Sequence, residues 1–246
     1  MTFNGGKMMK QIIALGGGGF SMEPDNPLLD LYILQTAGKG TPKICFIPTA
    51  SGDSEGYISR YYDFFDKQDC VPSHLSLFKP PTRDLESFLL DKDIIYVGGG
   101  NTKNLLVLWK AWGIDIILKK AWEQGVVLAG ISAGSICWFE EGVTDSYGDS
   151  LEPISCLGLL RGSNCPHYDG ESDRRPAYQN LVATNSIKPG IATDDGVAIH
   201  YIEQKIYKIV SSSPTAKAYE ISYDNDLVET ELETEYLGDN VWRGSR

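Results

Sequence analysis

No C-x-x-C pair occurs in this sequence, and its five cysteines stand apart at positions 45, 70, 137, 156 and 165. The spacing of a zinc ribbon or a dithiol redox motif is therefore missing, and an odd number of thiols leaves one unpaired in any disulfide scheme. Free thiols in a reducing cytoplasm fit this pattern best. Basic residues are also short, with 22 Lys and Arg against 33 Asp and Glu for a net charge of −11. A chain so acidic is a poor partner for nucleic acid or an anionic membrane. Long apolar runs are absent, and nothing approaches the roughly 18 residues of a spanning helix. No signal peptide is legible, since Lys7 and Lys10 precede only the short run QIIAL. There is no internal repeat and no low-complexity linker. Histidine is scarcest, at three residues (His74, His167, His200), so any imidazole chemistry has three positions to choose from.

What is present suits a globular enzyme. A chain of 246 residues can bury a substantial core without disulfides or metal, and 42% apolar with 22% charged residues is ordinary for a soluble domain. One α/β domain is expected over residues 1–246, with residues 1–9 as a disordered leader. The central stretch is GVVLAGISAGSIC, residues 125–137. Residues 126–129 read as a buried strand, Gly130, Ser132 and Gly134 give G-x-S-x-G, and residues 133–139 read as the start of a helix. In that context the turn holds the serine strained with its hydroxyl exposed, and the helix N-terminus offers free N–H groups. Ser132 is the expected nucleophile.

Around it, strands are expected at residues 11–15, 43–48, 74–78 and 93–97, and helices at 28–36, 57–67, 83–90, 102–109 and 114–124. Alternation at this spacing predicts a doubly wound, mostly parallel sheet with helices on both faces. Ligands then gather at the carboxyl ends of its strands. The four glycines 16–19 follow the first strand without the spacing of a dinucleotide fingerprint and read as a permissive loop at a sheet edge. The aromatic residues of 57–67 read as packing. Residues 140–164 look loop-rich. A turn and a strand follow within 189–200. Residues 205–210 and 218–222 read as antiparallel strands, and 225 onward as a last strand or a tail.

A serine nucleophile needs a base. His74 and His200 sit in strand-like contexts, whereas His167 follows Pro166 in an irregular polar loop, where a side chain can be presented. His167 is the expected base. The imidazole in turn needs an acid to fix its tautomer, with Asp145, Asp169, Asp194 and Asp195 as candidates. An oxyanion hole would use the N–H of Ala133 and one from the Gly98-Gly99-Gly100 turn, with Gly99 expected, provided the two turns are neighbours in the sheet.

The combination of GGGN (residues 98–101), GISAGS (residues 130–135) and N-x-P-H (residues 164–167) resembles the peptidase E family of serine peptidases. That family includes the alpha-aspartyl dipeptidases and, more distantly, the cyanophycinases. The resemblance runs from about residue 11 to 207 and implies a doubly wound α/β fold. It implies Ser132 as nucleophile, although Ile131 stands for the family's tryptophan, and His167 as base, with Cys165 inserted before Pro166. For the acid it implies either Asp145, after the nucleophile helix, or Asp195, which stands where the family has a glutamate; Asp195 is favoured. The family's preference for an amino-terminal aspartate points to Arg174 and Arg175, offset by one inserted residue, and with Asn101 these are the candidate substrate contacts. The expected activity is cytoplasmic serine-type hydrolysis of short peptides through an acyl-enzyme on Ser132, with dipeptides that begin with aspartate as the substrates the resemblance implies. The alternatives are a cyanophycinase-type isopeptidase cutting β-aspartyl linkages and a silent small-molecule-binding homologue. No cofactor and no metal are expected. The partner is a small peptide, with no nucleic acid and no membrane, and monomer and homodimer both stay open.

Overall fold

The structure is a computed structural model that describes residues 9–148 and 150–239. The leader expected at residues 1–9 lies, Met9 apart, outside the described residues. The first half runs β1 (Gln11–Leu15), α1 (Gly19–Met22), α2 (Leu28–Thr36), β2 (Lys43–Ile47), α3 (Glu55–Phe65), β3 (Val71–His74), α4 (Leu85–Leu90), β4 (Ile94–Val97), α5 (Thr102–Trp112), α6 (Ile114–Glu123), β5 (Val127–Ile131) and α7 (Ala133–Ile136). The second half runs β6 (Phe139–Thr144), β7 (Glu152–Ser155), β8 (Leu160–Cys165), α8 (Arg174–Ala183), β9 (Gly190–Thr193), β10 (Val197–Ile202), β11 (Lys205–Ser211), β12 (Ala218–Asp224), β13 (Asp226–Leu232) and β14 (Glu235–Tyr236).

Two sheets result. The larger has the order β14-β11-β10-β1-β5-β4-β2-β3, and β1, β5, β4, β2 and β3 within it are parallel. Strands β1, β2, β4 and β5 are buried on both sides, which is why they read as continuous hydrophobic runs. Successive side chains serve opposite faces. Ile12, Cys45, Ile95 and Leu128 pack with Leu105, Trp109 and Leu118 of α5 and α6. Ile13, Phe46, Tyr96 and Ala129 pack with Phe20, Tyr61 and Phe65 from α1 and α3. The aromatic side of α3 is thus core: Tyr61 stacks on Phe46 with ring centroids 4.9 Å apart. The sheet is doubly wound, mostly parallel, with antiparallel strands toward the C-terminus, as the sequence pattern predicts.

The second sheet, ordered β13-β12-β9-β8-β6-β7, corrects the reading of residues 140–164 as loop-rich. Its strands carry buried polar residues whose partners no periodicity reveals. Ser163 Oγ meets Tyr178 Oη at 2.7 Å, and Ser135 Oγ donates to Asn164 Oδ1 at 2.9 Å. The third strand also differs from expectation. It spans Val71–His74 rather than 74–78, because β3 is an edge strand that tolerates Pro72, and the buried Leu75 and Leu77 belong to the loop beyond it. The helix after Ser132 is four residues long, since Phe139 already opens β6.

The route from β9 to β10 joins the sheets. β9 ends in the smaller sheet at Thr193, residues 194–196 turn, and β10 pairs antiparallel with β1 in the larger. Gly16 N donates to Val197 O at 2.9 Å and Gly196 N to Gly17 O at 3.1 Å, which pins this turn to the loop after β1.

Candidate active site

Ser132 stands between β5 and α7 with φ 56° and ψ −115°, a conformation that side-chain-bearing residues seldom adopt. The backbone is too crowded there for anything but glycine on either side. A Cβ on Gly130 would lie 2.1 Å from the Gly134 carbonyl oxygen, and one on Gly134 would lie 2.2 Å from the Val97 carbonyl oxygen. The G-x-S-x-G spacing is therefore a packing requirement of a sharp strand-to-helix turn. Among the described residues Ser132 Oγ has no hydrogen-bond partner, His167 included.

The two turns expected to share an oxyanion hole are neighbours, since β4 and β5 pair in parallel with Val97 opposite Gly130. A Cβ on Gly99 would lie 3.2 Å from Ser132 Cβ and 3.6 Å from its Oγ. The Ala133 N–H, first in its helix, has no acceptor among the described residues. The Gly99 N–H donates to Tyr57 Oη over a long 3.3 Å, and that hydroxyl donates to Ser21 Oγ at 2.9 Å.

His167 follows β8 and Pro166 and also has positive φ, 56°. Its Nδ1 lies 2.6 Å from Asp195 Oδ1, so Nδ1–H donates to the carboxylate and Nε2 keeps its lone pair. Tyr168 N donates to Thr193 O at 3.1 Å, which ties the histidine loop to the end of β9. Asp195 is held from two further directions. Its own N–H donates to Asp169 Oδ1 at 2.8 Å, and a Cβ on Gly170 would lie 2.3 Å from its Oδ2. A Cβ on Gly17 would lie 1.9 Å from Asp195 Oδ1 and 3.1 Å from His167 Nδ1. The loop after β1 thus touches both the serine turn, whose Ser132 N donates to Leu15 O at 3.3 Å, and the His–Asp pair. It belongs to a central strand rather than to a sheet edge, and its glycines allow this close approach. Gly17 was not singled out as a site residue from sequence, although the four-glycine run after a strand was a visible signal, and Asp169, one of the four candidate acids, accepts the backbone N–H of Asp195 instead of facing the imidazole.

The remaining candidates stand apart from that pair. Asp145 is exposed in the turn after β6 and makes no bond to His167. Asp194 is buried, accepts from Lys217 N at 2.9 Å, and burial pushes its carboxyl up to about 6. His74 is bonded to Tyr62 Oη at 2.8 Å. His200 lies between Tyr32 Oη and Gln11 Oε1, with burial lowering its pKa to about 4. Asn101 caps α5 by accepting from Asn104 N at 2.8 Å, and its amide nitrogen donates to Ser146 O at 3.1 Å, so both ends are engaged within the protein. Arg174 and Arg175 do not lie on a loop but open α8, where Pro176 is tolerated in the first turn. Arg174 is buried, its Nε 2.5 Å from Glu171 Oε2. Arg175 pairs with Glu229 and lies 5.1 Å from the ring centres of Tyr168 and Tyr219.

Cys165 is buried, and desolvation pushes its thiol up to about 12, too high for a thiolate nucleophile at neutral pH. Among the described residues no three His, Cys, Asp or Glu side chains are grouped to hold a metal ion, and no helix is long and apolar enough to cross a membrane.

Comparison with known proteins follows the same geometry. A peptidase from an acI-B1 Actinobacterium superposes with a TM-score of 0.70 at 18% identity, covering 93% of this chain and 96% of that one. A putative peptidase E protein from Listeria monocytogenes EGD-e superposes with a TM-score of 0.60 at 18% identity, covering 92% and 100%. At that identity these two share the fold. In sequence, the chain is 60% identical over 231 residues to the uncharacterized peptidase YgaJ of Bacillus subtilis (strain 168), covering 94% of this chain and 100% of the relative. The pattern of peptidase family S51 matches residues 12–209, which take in both the serine turn and the His–Asp pair, and the chain belongs to that family.

Proposed function

We propose that this S51-family peptidase is a serine hydrolase of short peptides, with Ser132 as nucleophile, His167 as general base and Asp195 as the carboxylate that orients the imidazole. The observation that supports it most is the strained Ser132 turn beside the Gly99 turn, with the His167–Asp195 pair set against the Gly17 loop that follows β1.

The chemistry runs as an acyl transfer. Ser132 Oγ attacks the scissile carbonyl carbon, and its proton passes to His167 Nε2. The carbonyl oxygen, now an anion, accepts from the Ala133 N–H and from the Gly99 N–H. The long bond from Gly99 to Tyr57 Oη is a weak competitor for that charge. Collapse expels the amine, which takes the proton from Nε2, and water repeats the sequence in reverse on the acyl-enzyme. Asp195, bonded to Nδ1, orients the ring and stabilises the imidazolium.

The Ser and the His–Asp pair come from different sheets, so we read the chain as one working domain. Its five free thiols suit a reducing compartment, and we place the enzyme in the cytoplasm. A preference for an aspartate in first position would rest on Arg174 or Arg175, and both guanidinium groups already face carboxylates. The proposal therefore carries no acidic requirement. The direct test is hydrolysis of a dipeptide panel by wild type and Ser132→Ala. Loss of at least a thousandfold in kcat/KM with an unchanged circular dichroism spectrum is expected. Near-normal turnover by Ser132→Ala would end the serine reading.

A further inference from the structure

Building on the serine-peptidase reading, we infer that the Tyr57 hydroxyl is a third donor to the oxyanion, beside the N–H groups of Ala133 and Gly99.

Tyr57 belongs to the aromatic side of α3, and it differs from its neighbour there in where its hydroxyl goes. Tyr61 Oη donates to Ile44 O at 3.1 Å, inside the sheet. Tyr57 Oη instead reaches the turn beside Ser132, where it accepts from Gly99 N at 3.3 Å and donates to Ser21 Oγ at 2.9 Å. The Gly99 N–H therefore already points at this hydroxyl. A second oxygen accepting from the same N–H, at the ordinary length of about 2.9 Å, falls within roughly 3.5 Å of Oη. The oxyanion formed on the scissile carbonyl is such an oxygen. It carries no proton, so at that separation the phenol either supplies one or is pushed aside.

Packing holds the ring in place. Tyr57 is 6% exposed. Its ring meets Phe46 edge-on at 4.9 Å and Phe20 at 5.7 Å between centroids, and the Arg60 guanidinium lies 5.0 Å from its centre. A Cβ on Gly98 would lie 2.9 Å from Phe46 Cζ and 3.0 Å from Tyr57 Cε1, so the GGGN turn rests on these two rings. What stays free is rotation of the O–H about the Cζ–Oη bond. Turned from Ser21 to the oxyanion, the O–H makes one more charge-assisted bond, and the Ser21 hydroxyl can donate to Oη in its place. Burial raises the phenol above its ordinary pKa, so it remains a donor at neutral pH. The new bond strengthens as negative charge develops on the carbonyl oxygen. It therefore lowers the barrier more than it tightens substrate binding.

The experiment uses Tyr57→Phe, which keeps the ring and its packing. Its readouts are kinetics on the best-cleaved dipeptide and inhibition by an alanyl trifluoromethyl ketone. Ser132 Oγ adds to the carbonyl carbon of that ketone, the serine proton passes to His167 Nε2, and the oxygen stays as a hemiketal anion. Tyr57→Phe is expected to lower kcat about a hundredfold with KM within about threefold, and to weaken the Ki of the ketone about a hundredfold in parallel. A loss in kcat below about tenfold, a gain, or a loss that the Ki does not follow overturns the inference while the serine chemistry stands. Should circular dichroism show that the variant does not fold, a crystal structure of the wild-type ketone adduct decides. Tyr57 Oη at about 2.6 Å from the hemiketal oxygen supports the third donor, and a separation beyond roughly 3.5 Å overturns it. If wild type neither binds the ketone nor takes a phosphonate label on Ser132, the serine-peptidase reading itself has failed.

Discussion

Two residues with positive φ, a backbone region that side-chain-bearing residues seldom adopt, carry the proposed chemistry: Ser132 and His167. The acid is where the residue scale makes its sharpest distinction. Asp195→Asn should lower kcat by about 10³- to 10⁴-fold, because the amide would favour the wrong imidazole tautomer. Asp145→Ala should leave kcat/KM within about twofold, since that side chain stands exposed and does not touch His167. Steady-state kinetics on the two variants checks both. A large loss in Asp145→Ala with near-normal Asp195→Asn would exchange their roles. Gly17→Ala should also cut kcat/KM by at least tenfold, because its Cβ would fall 1.9 Å from Asp195 Oδ1 and displace the carboxylate. Much of this was legible in the sequence. Ser132 announced itself through glycines at fixed offsets, and His167 through Pro166 and the shortage of other histidines. The choice among four aspartates was not, because it depends on a turn brought in from 28 residues further along.

Among elements, β1, β2, β4 and β5 were readable as apolar runs because both of their faces are buried. Strands β6 and β8 were hidden because Glu140, Glu141, Ser163 and Asn164 break any alternation, and their burial or pairing depends on hydrogen bonds to distant residues. Helix α8 was hidden behind a polar stretch whose Arg174 is buried by an ion pair. The packing under the Gly19 turn gives a pH-dependent prediction. Asp30 is buried, accepts from Phe20 N at 2.7 Å, and is raised by desolvation to about 8. A carboxyl with a folded pKa above its unfolded value favours folding most below the unfolded pKa, and that contribution is lost as pH rises through the folded one. Asp30→Asn keeps an acceptor for Phe20 and has no charge to bury. Its free energy of unfolding, from urea titrations, should therefore gain on wild type as pH rises from about 4 to 8, by up to a few kcal/mol. A constant difference between the two proteins across that range would contradict the assignment.

For the whole molecule, the site is a seam. The larger sheet supplies Ser132 and the Gly99 turn, the smaller supplies His167 from the end of β8, and the turn between β9 and β10 brings Asp195 across. The sequence showed the first half of that design, because alternating strands and helices imply a parallel sheet with its loops on one edge. It did not show that a second sheet delivers the base, since loops and short polar strands look alike in one dimension. The central claim is that Ser132 becomes a nucleophile only through His167. It is tested most directly by labelling with a serine-directed phosphonate, read by intact-protein and peptide mass spectrometry. The account predicts one adduct per chain on Ser132, none in Ser132→Ala, and labelling slowed at least a hundredfold in His167→Ala. Equal labelling rates in wild type and His167→Ala, or an adduct on another residue, would contradict it.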